Sequence, residues 1–291
     1  MSHKSIASKR SWLFCPGNQA RRIEKAVASA AHAVIIDLED AVPVAEKDSA
    51  RATLRGRLDT LDHPSLYVRI NALSTSCAFE DVEAVMVGGI SGIVLPKSER
   101  ARDVQVLDWL MDQMERRNAL KPGAMEIIPL IESAAAFENL RAICRASARV
   151  RRVAFGAADF TFDLGLTWSS DEHELMAYRA SLVLASRQAG IEAPIDTPWV
   201  DVGDREGMAA SAQRSRSHGF QGKFCIHPDQ IGLVNGAYAP SKAQVDEARQ
   251  TIAAFEAAGS NAIKVNGKMI DNPVVEGARR ILIEADLGAA S

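Results

Sequence analysis

Eight short apolar runs alternate with longer stretches rich in alanine, leucine, arginine and glutamate, and this pattern predicts an α/β chain folded as a TIM-type (β/α)8 barrel. Each run has the length of a buried strand, and the composition between the runs favours helix. Eight such units in 291 residues favour a closed parallel barrel over an open doubly wound sheet. The first turn, Cys15-Pro16-Gly17-Asn18, also lacks the G-x-G-x-x-G pattern expected of an open nucleotide-binding sheet.

The predicted elements follow one another in regular order. The predicted strands are 12–14, 34–36, 66–70, 92–95, 127–131, 152–155, 193–195 and 223–226. The predicted helices are 18–31, 46–61, 100–117, 134–148, 172–190 and 204–218.

The tail breaks this alternation. Residues 261–265 and 268–270 flank Asn266-Gly267, a strong signal for a two-residue hairpin turn. Pro273 suits the first turn of a helix over 274–287. We therefore expect a barrel domain over residues 1–258 and a hairpin-plus-helix appendage over residues 259–291, which acts as a lid and contacts a neighbouring subunit.

Composition limits the class of function. The formal net charge of −3 argues against a nucleic-acid partner, which would favour a basic excess. No run approaches the roughly 18 apolar residues of a membrane span, and residues 1–10 lack an apolar signal core. The four cysteines form no C-x-x-C pair, which argues against a disulfide framework or a zinc site and favours a reduced cytoplasmic setting.

Charged residues close most of the predicted strands. They are Asp37, Glu39, Asp40, Arg69, Lys97, Glu132, Asp159, Asp196 and His227. In a barrel these ends meet at one rim, where catalytic groups gather. Buried charge is costly unless it is paired or bound to metal, and carboxylates beside an arginine suit a hard divalent cation with an anionic substrate. Asp196 is therefore expected to contact substrate.

Each of these residues also has a purely structural interpretation. Asp37 and Glu39 would serve equally as ion-pair partners of Arg69, Arg21 or Lys25. Glu132 would serve as a helix cap, although the adjacent Ser133 is the better capping residue.

Three other residue types have competing interpretations. Lys97 raises a Schiff-base alternative, against which a salt-bridged or solvent-facing lysine is favoured. His227 is balanced between a structural hydrogen bond and a substrate contact. The cysteines are expected to be packing residues.

Seven segments in order along the chain resemble the CoA-ester lyases of the HpcH/HpaI aldolase/citrate lyase superfamily. The segments are 10–17 (RSWLFCPG), 37–40 (DLED), 67–71 (YVRIN), 95–97 (LPK), 131–133 (IES), 155–159 (FGAAD) and 222–228 (GKFCIHP). The resemblance runs from about residue 10 to residue 285. It implies a carbon–carbon lyase that uses Mg²⁺, or Mn²⁺ on the same oxygen ligands, and a CoA thioester as substrate.

The resemblance also implies roles for individual residues. Glu132 and Asp159 match two metal ligands, and Glu132 is expected to touch the substrate as well. Arg69 matches the arginine that holds a substrate oxygen beside the metal. Asp37 and Glu39 match an acidic segment that acts through metal-bound water or orients that arginine.

Substrate binding is implied for two further segments. Gly156, Ala157 and Ala158 match a backbone nest for the carboxylate of an α-keto acid, a role suited to exposed N–H groups. Arg21 and Lys25 lie in the segment that resembles the contacts to the CoA phosphates.

The resemblance gives the tail a role as well. Residues 269–273 match the segment that one subunit delivers to a neighbour's active site, which makes Asp271 the candidate general acid/base in trans. A homotrimer or another homo-oligomer is implied. The alternative is that Asp271 caps the last helix ahead of Pro273.

The sequence leaves several activities in competition. Malyl-, citramalyl- and citryl-CoA are alternative substrates of the expected lyase. A CoA-independent 4-hydroxy-2-oxo-acid aldolase is the first rival, but in that branch a glycine and a histidine stand where Leu38 and Asp40 stand here. The other rivals are a citrate lyase β-like subunit acting on a carrier-protein thioester and hydrolysis of the thioester.

Overall fold

The computed structural model describes residues 9–258, 262–265 and 267–289, and over these residues it shows a closed barrel of eight parallel strands in chain order. The prediction of a (β/α)8 barrel is confirmed. The strands are β1 (Ser11–Pro16), β2 (Ala33–Asp37), β3 (Leu66–Arg69), β4 (Gly92–Leu95), β5 (Glu126–Ile131), β6 (Ala154–Phe155), β7 (Ile195–Asp196) and β8 (Gly222–Cys225).

The register of the strands sets the rim of the barrel. Each strand pairs in parallel with the next, and β1 closes the barrel by pairing with β8. Pro16 pairs with Asp37 and Asp37 pairs with Arg69, so three successive strand ends lie at one level. Side chains at these carboxyl ends therefore point to a common site.

The barrel interior is filled by side chains of alternate strand residues, as the two-residue period of a strand requires. Trp12 is fully buried and pairs in register with Ala33, whose small side chain leaves room for the indole. The Tyr67 ring lies 5.0 Å from the Trp12 ring, centroid to centroid. The cluster consists of Trp12, Ala33, Ile35, Tyr67, Val94, Ile128, Leu130, Ala154, Ile195 and Phe224.

Helices surround the strands and have recognisable ends. Ser133 accepts a hydrogen bond from Ala136 N at 3.2 Å and so caps the helix that follows β5, as the sequence suggested. Asp204 caps the helix before β8 in the same way. The helices of this part are α1 (Ala20–Val27), α2 (Lys47–Arg55), α3 (Ala78–Val85), α4 (Ala101–Arg117), α5 (Ala134–Glu138), α6 (Leu140–Ile143), α7 (Ala157–Leu164), α8 (Met176–Ala189), α9 (Arg205–Ser217) and α10 (Asp229–Tyr238).

Several elements differ from the sequence prediction in extent. The helix predicted over 134–148 is divided into α5 and α6 at Asn139, whose side-chain amide donates to Ala135 O and to Glu99 O. An asparagine that bonds to nearby carbonyls competes with the helical ladder. The short helices α3 and α7 were not among the predicted helices.

The C-terminal residues form a second compact unit that begins at Tyr238, whereas the sequence placed the boundary after residue 258. It contains α11 (Lys242–Ala258), β9 (Ala262–Val265), β10 (Lys268–Asp271) and α12 (Asn272–Ala289). The unit starts earlier than expected because α11 packs along α12.

The predicted hairpin and helix are present in this unit. Strands β9 and β10 pair antiparallel, and Gly267 in the turn has φ +81°, a conformation that favours glycine. Asn266 and Asn261 lie outside the described residues. The proposed contact with a neighbouring subunit remains a prediction.

None of the helices in the described residues is both long and apolar enough to cross a membrane.

The amino-terminal end of the barrel contains a buried ionic network. Arg152 Nε donates to Glu126 Oε1 at 2.7 Å, and both residues are only 2% exposed. Tyr67 donates its hydroxyl to the other oxygen of Glu126 at 2.9 Å, and Lys9 Nζ donates to that hydroxyl at 2.8 Å. Burial and the nearby Arg152 lower the pKa of Lys9 to about 8. This end of the barrel is thus closed by paired charges.

We expect Arg152→Met to lower the free energy of unfolding by about 3–5 kcal/mol, because Glu126 would remain buried without its guanidinium partner. Urea unfolding at neutral pH measures this loss. The control is Arg116→Met, which removes an exposed ion pair with Asp112 and should change stability by less than about 1 kcal/mol. Equal effects of the two substitutions would contradict a structural role for the network.

Candidate active site

A cavity of about 420 Å³ opens at the carboxyl ends of the barrel strands. One side is apolar and the other carries carboxylates and an arginine, an arrangement suited to orienting a small polar substrate. The lining residues are Phe14, Cys15, Pro16, Arg22, Asp37, Asp40, Ala41, Arg69, Leu130, Glu132, Gly156, Ala158, Asp159, Thr197, Pro198, Phe224 and Ile226.

Arg69, the last residue of β3, is held in the cavity by Asp37 on the neighbouring strand. Its Nε donates to Asp37 Oδ1 at 2.7 Å and its Nη2 donates to Oδ2 at 2.6 Å. The guanidinium lies 5.0 Å from the centroid of the Phe14 ring. Burial alone would lower the pKa of Arg69, but the Asp37 carboxylate outweighs it and the pKa is raised. The guanidinium is therefore a fixed positive charge.

Asp37 has no oxygen left for another strong ligand. Its Oδ1 also accepts from Glu39 N at 2.9 Å, and its Oδ2 accepts from Ala41 N at 3.0 Å. Asp37 was expected either to act through metal-bound water or to orient Arg69, and these contacts favour the orientation of Arg69.

Glu39 also lies beside Arg69 and is buried. Its Oε2 is 3.1 Å from Arg69 Nη1, although this oxygen has no aligned hydrogen bond among the described residues. Burial raises the pKa of Glu39 to about 7, against the opposing effect of Arg69, and Asp40 raises it further. Glu39 therefore carries a proton over part of the neutral pH range.

Lys47, at the start of α2, holds the segment after β2 that bears Glu39. Lys47 Nζ donates to Leu38 O and Glu39 O, each at 2.9 Å, and to Asn71 Oδ1 at 2.6 Å. Asn71 Nδ2 in turn donates to Leu38 O at 2.9 Å and to the buried Asp81. Sequence reasoning missed Lys47, because nothing in its helical surroundings distinguishes it from a solvated lysine.

Glu132 and Asp159 both lie beside the ammonium group of Lys97. Glu132, at the end of β5, is 4% exposed, and burial raises the pKa of its carboxyl group. Its Oε1 accepts from Lys97 N at 2.7 Å and lies 3.7 Å from Lys97 Nζ. Lys97 Nζ also forms an ion pair with Asp159 Oδ2. The structure thus brings together the two carboxylates predicted as metal ligands, and Lys97 is salt-bridged as expected.

Gly156 makes the approach of these two strand ends possible. A Cβ atom at this position would lie 2.6 Å from Glu132 Oε2 and 2.8 Å from Glu132 Cβ. Any side chain would displace the carboxylate from the end of β5, so the glycine is required for the position of Glu132.

The amino-terminal end of α7 supplies N–H groups to the cavity. Gly156 N donates to Ile131 O at 3.0 Å, and Ala157 N donates to Thr197 Oγ1 at 3.0 Å. In the described part of the chain the N–H groups of Ala158 and Asp159, both in the cavity wall, donate to no protein acceptor. The N–H groups without a protein acceptor therefore begin at Ala158, whereas the segment predicted to bind a carboxylate begins at Gly156, and its binding role remains a prediction.

The structure does not bring Asp196 into the cavity. It is fully buried, with Arg179 donating to both of its oxygens at 3.0 Å and Lys223 Nζ donating at 2.7 Å. Asp196 was expected to contact substrate, but both of its oxygens are bound by buried cations and the residue does not line the cavity. The neighbouring Thr197 lines the cavity instead; an uncharged strand-end residue gave no signal in the sequence.

The basic residues of α1 also differ from expectation. Arg21 and Lys25 are exposed and do not line the cavity, whereas Arg22 does. Ile23 and Ala26 are the buried residues of this helix. The role of Arg21 and Lys25 at the CoA phosphates remains a prediction.

Asp271 lies in the C-terminal unit, at the end of β10. Its Oδ1 accepts a hydrogen bond from Val274 N at 3.3 Å, and the residue is partly exposed. The capping interaction named as the alternative is therefore present. Within the described part of the chain, the second carboxylate oxygen accepts no hydrogen bond, and the catalytic role of Asp271 remains a prediction.

Cys15 is the cysteine in the cavity wall, and it is buried. Burial, with a contribution from Asp37, raises the pKa of its thiol to about 12. A thiol that stays protonated is a poor nucleophile. This agrees with the packing role expected for the cysteines.

The chain is similar to known proteins of one enzyme family. Residues 10–228 match the family model described as HpcH/HpaI aldolase/citrate lyase. The citrate lyase subunit beta of Escherichia coli K12 is 36% identical over 99% of this chain and 96% of its own length. The L-malyl-CoA/beta-methylmalyl-CoA lyase of Cereibacter sphaeroides is 35% identical over 97% of this chain and 96% of its own length.

Solved structures give the same relationship. The crystal structure of CitE from Mycobacterium tuberculosis in complex with magnesium, acetoacetate and coenzyme A matches with a TM-score of 0.81 at 33% identity, covering 96% of this chain and 99% of that chain. The family recognised from the sequence motifs is confirmed, and the chain belongs to the HpcH/HpaI aldolase/citrate lyase family.

Proposed function

We propose that this protein is a Mg²⁺-dependent carbon–carbon lyase that cleaves or forms a 3-hydroxyacyl-CoA thioester, with an acyl-CoA and an α-keto acid as the other reaction partners. The observation that carries this proposal is the shared cation position between Glu132 and Asp159, on a cavity that also contains Arg69. The relatives named as citrate lyase and malyl-CoA lyase support the same reaction class.

The residues present fit a magnesium ion. Mg²⁺ prefers carboxylate and water oxygens and uses one or two protein carboxylates together with substrate oxygens. Glu132 is buried at a strand end and Asp159 is half-exposed beside it, which would leave the remaining positions to water and substrate. When bound, Mg²⁺ would supply Lewis-acid polarisation of a substrate oxygen and a template for its carboxylate.

The residues around this position have separate tasks. Arg69, fixed by Asp37, would donate to the carbinol oxygen next to the bond that breaks, and the ionisation of Glu39 would change the net charge beside Arg69. The N–H groups of Ala158 and Asp159 would receive the carboxylate of the keto acid. Preorganised donors of this kind are worth about a hundredfold in rate or more.

In the cleavage direction the carbinol hydroxyl gives up its proton to solvent, its oxygen becomes the carbonyl oxygen of the keto acid, and the carbon–carbon bond breaks. The electron pair passes to the α-carbon of the thioester, which forms an enolate and is then protonated. Asp271, delivered from a neighbouring subunit, would donate that proton, and in the condensation direction it would remove it.

Because Asp271 would act on a neighbour's site, we also propose that the protein works as a homo-oligomer, a trimer by family resemblance. We propose further that it works in the cytoplasm, where its four free cysteines stay reduced.

A carrier-protein thioester is the second candidate substrate. The E. coli relative is named as a subunit of citrate lyase, and the match covers 96% of its length. A CoA thioester and a carrier-protein thioester present the same reacting atoms, so the same residues would serve both.

The experiment that tests the proposal is a screen of malyl-, citramalyl- and citryl-CoA with the purified protein, with and without Mg²⁺. We expect the release of glyoxylate, pyruvate or oxaloacetate from at least one of them, together with the acyl-CoA. Free 4-hydroxy-2-oxo acids are the comparison substrates. Pyruvate release from these alone would favour the CoA-independent aldolase.

We expect Glu132→Gln and Asp159→Asn each to lower Mg²⁺-dependent turnover by at least about a hundredfold while the barrel stays folded, because each removes an ionised oxygen ligand. Turnover and circular dichroism measure the two effects. Glu138→Gln, an exposed acid on α5, is the matched control and should leave turnover unchanged. Full activity of the wild-type protein in EDTA after metal stripping would remove the metal from the mechanism.

For Asp271→Asn we expect kcat to fall by at least about tenfold, with a smaller change in KM, because a general acid/base acts in the chemical step. Asparagine caps a helix as well as aspartate does, so the substitution keeps the cap and removes only the ionisable oxygen. Steady-state kinetics measure the split, and Asp246→Asn on α11 is the control. An unchanged kcat would exclude Asp271.

Glu39 generates a pH prediction for the metal-free protein. Its pKa near 7 in the folded state lies above the ordinary value of 4.5, so the stability that it contributes is complete below pH 4.5 and is lost as pH rises through 7. We expect Glu39→Gln to avoid this loss, which is on the order of 3 kcal/mol. Urea unfolding in EDTA at pH 5 and pH 8.5 measures it, with the exposed Glu80→Gln as control. Parallel pH dependence of the wild type and Glu39→Gln would contradict the prediction.

A further inference from the structure

We propose that the ammonium group of Lys97 occupies the cation position between Glu132 and Asp159 before metal binds, and that a divalent cation must displace it. Lys97 would then be a positioning residue that sets the metal affinity of the site. This inference rests on the proposed metal role of the two carboxylates.

The backbone at Lys97 aims the side chain at this position. Lys97 follows β4 after Pro96 and has φ +50°, in the left-handed region that non-glycine residues seldom adopt. Its N–H donates to Glu132 Oε1 at 2.7 Å, which holds the backbone in that conformation. The same residue then places Nζ on Asp159 and 3.7 Å from Glu132 Oε1. One residue thus contacts both carboxylates.

Charge explains why a cation is needed there. Five carboxylates cluster around this end of the cavity (Asp37, Glu39, Asp40, Glu132 and Asp159), and Arg69 is bound to Asp37 in a bidentate pair. Glu132 is almost completely buried, and a buried carboxylate without a counter-charge takes up a proton. Among the described residues, Lys97 forms the ion pair with Glu132, and the Arg69 guanidinium adds positive charge from farther away.

Exposure explains why the ammonium can leave. The Lys97 side chain is 43% exposed and that of Asp159 is 44% exposed, so both lie at the open side of the site. A lysine has a flexible four-carbon stem, and its ammonium group is readily solvated. The ammonium group can therefore move into solvent, while the buried Glu132 remains in place for the incoming metal.

A divalent cation and the ammonium group cannot bind the same carboxylate oxygens together. The free energy of metal binding is therefore reduced by the strength of the Lys97 ion pairs that are lost. The Lys97–Asp159 pair is half-exposed, so its strength lies in the range of surface ion pairs, and the Lys97–Glu132 contact is long at 3.7 Å and is exposed on the lysine side.

The test compares metal binding by wild type and Lys97→Met after metal stripping, with isothermal titration of Mg²⁺ and displacement of Mn²⁺ followed by electron paramagnetic resonance. Methionine keeps the length of the stem and removes the charge. We expect the Mg²⁺ Kd of Lys97→Met to be roughly three- to tenfold lower than that of wild type. Lys97→Arg, which keeps a cation, should bind Mg²⁺ more weakly than Lys97→Met. Lys121→Met, in an exposed loop, is the control.

Thermal unfolding provides a readout that does not depend on activity. Without metal, Lys97→Met should have a lower Tm than wild type, because Glu132 and Asp159 lose their counter-charge. At saturating Mg²⁺ the two Tm values should converge, so the shift on adding Mg²⁺ is larger for the variant. Lys97→Gln, which keeps a polar end, repeats the comparison if the methionine variant does not fold.

The outcomes separate this inference from the function on which it rests. Binding that depends on Glu132 but is equal or weaker in Lys97→Met would overturn the role of Lys97 and leave the metal site intact. Failure of the wild-type protein to bind Mg²⁺ or Mn²⁺ would overturn the metal site, and the role of Lys97 with it.

Discussion

The buried carboxylate of Glu132 is the constraint on which the rest of the site depends. A carboxylate that is only 4% exposed is stable as an anion only with hydrogen-bond donors and a cation nearby. The structure meets this need with the backbone of Lys97, its ammonium group, and a glycine at position 156 that leaves room for the second oxygen. The left-handed backbone of Lys97 and the absence of a side chain at Gly156 are both consequences of where Glu132 lies.

The two ends of the barrel use buried charge in different ways. At the amino-terminal end, Arg152, Glu126 and Tyr67 satisfy one another and leave nothing for a ligand. At the carboxyl end, Arg69 is held by Asp37, but Asp159 and the α7 N–H groups stay accessible to the cavity. Closed networks of the first kind contribute to stability, whereas open ones can be completed by substrate and metal. This contrast agrees with the general location of barrel active sites.

The sequence predicted much of the fold, because alternating apolar runs and helical stretches determine a parallel barrel almost independently of detail. It also predicted that Glu132, Asp159 and Arg69 would meet, since the carboxyl ends of barrel strands share one rim. It failed for Asp196, because a charged residue at a strand end looks the same whether a buried arginine and lysine or a substrate receives it. It also missed Lys47 and Thr197, whose roles depend on contacts between distant segments.

The glycine at position 156 has a consequence for how this enzyme could be diversified. A side chain cannot be added at position 156 without moving Glu132, so the position of Gly156 in the cavity wall is fixed by the carboxylate beside it. The apolar wall that includes Phe14 on β1 and Phe224 on β8 is not limited by Gly156. Variants with a preference for a bulkier or smaller acyl group should therefore arise on the apolar wall, where side-chain volume can change while the reacting atoms keep their places.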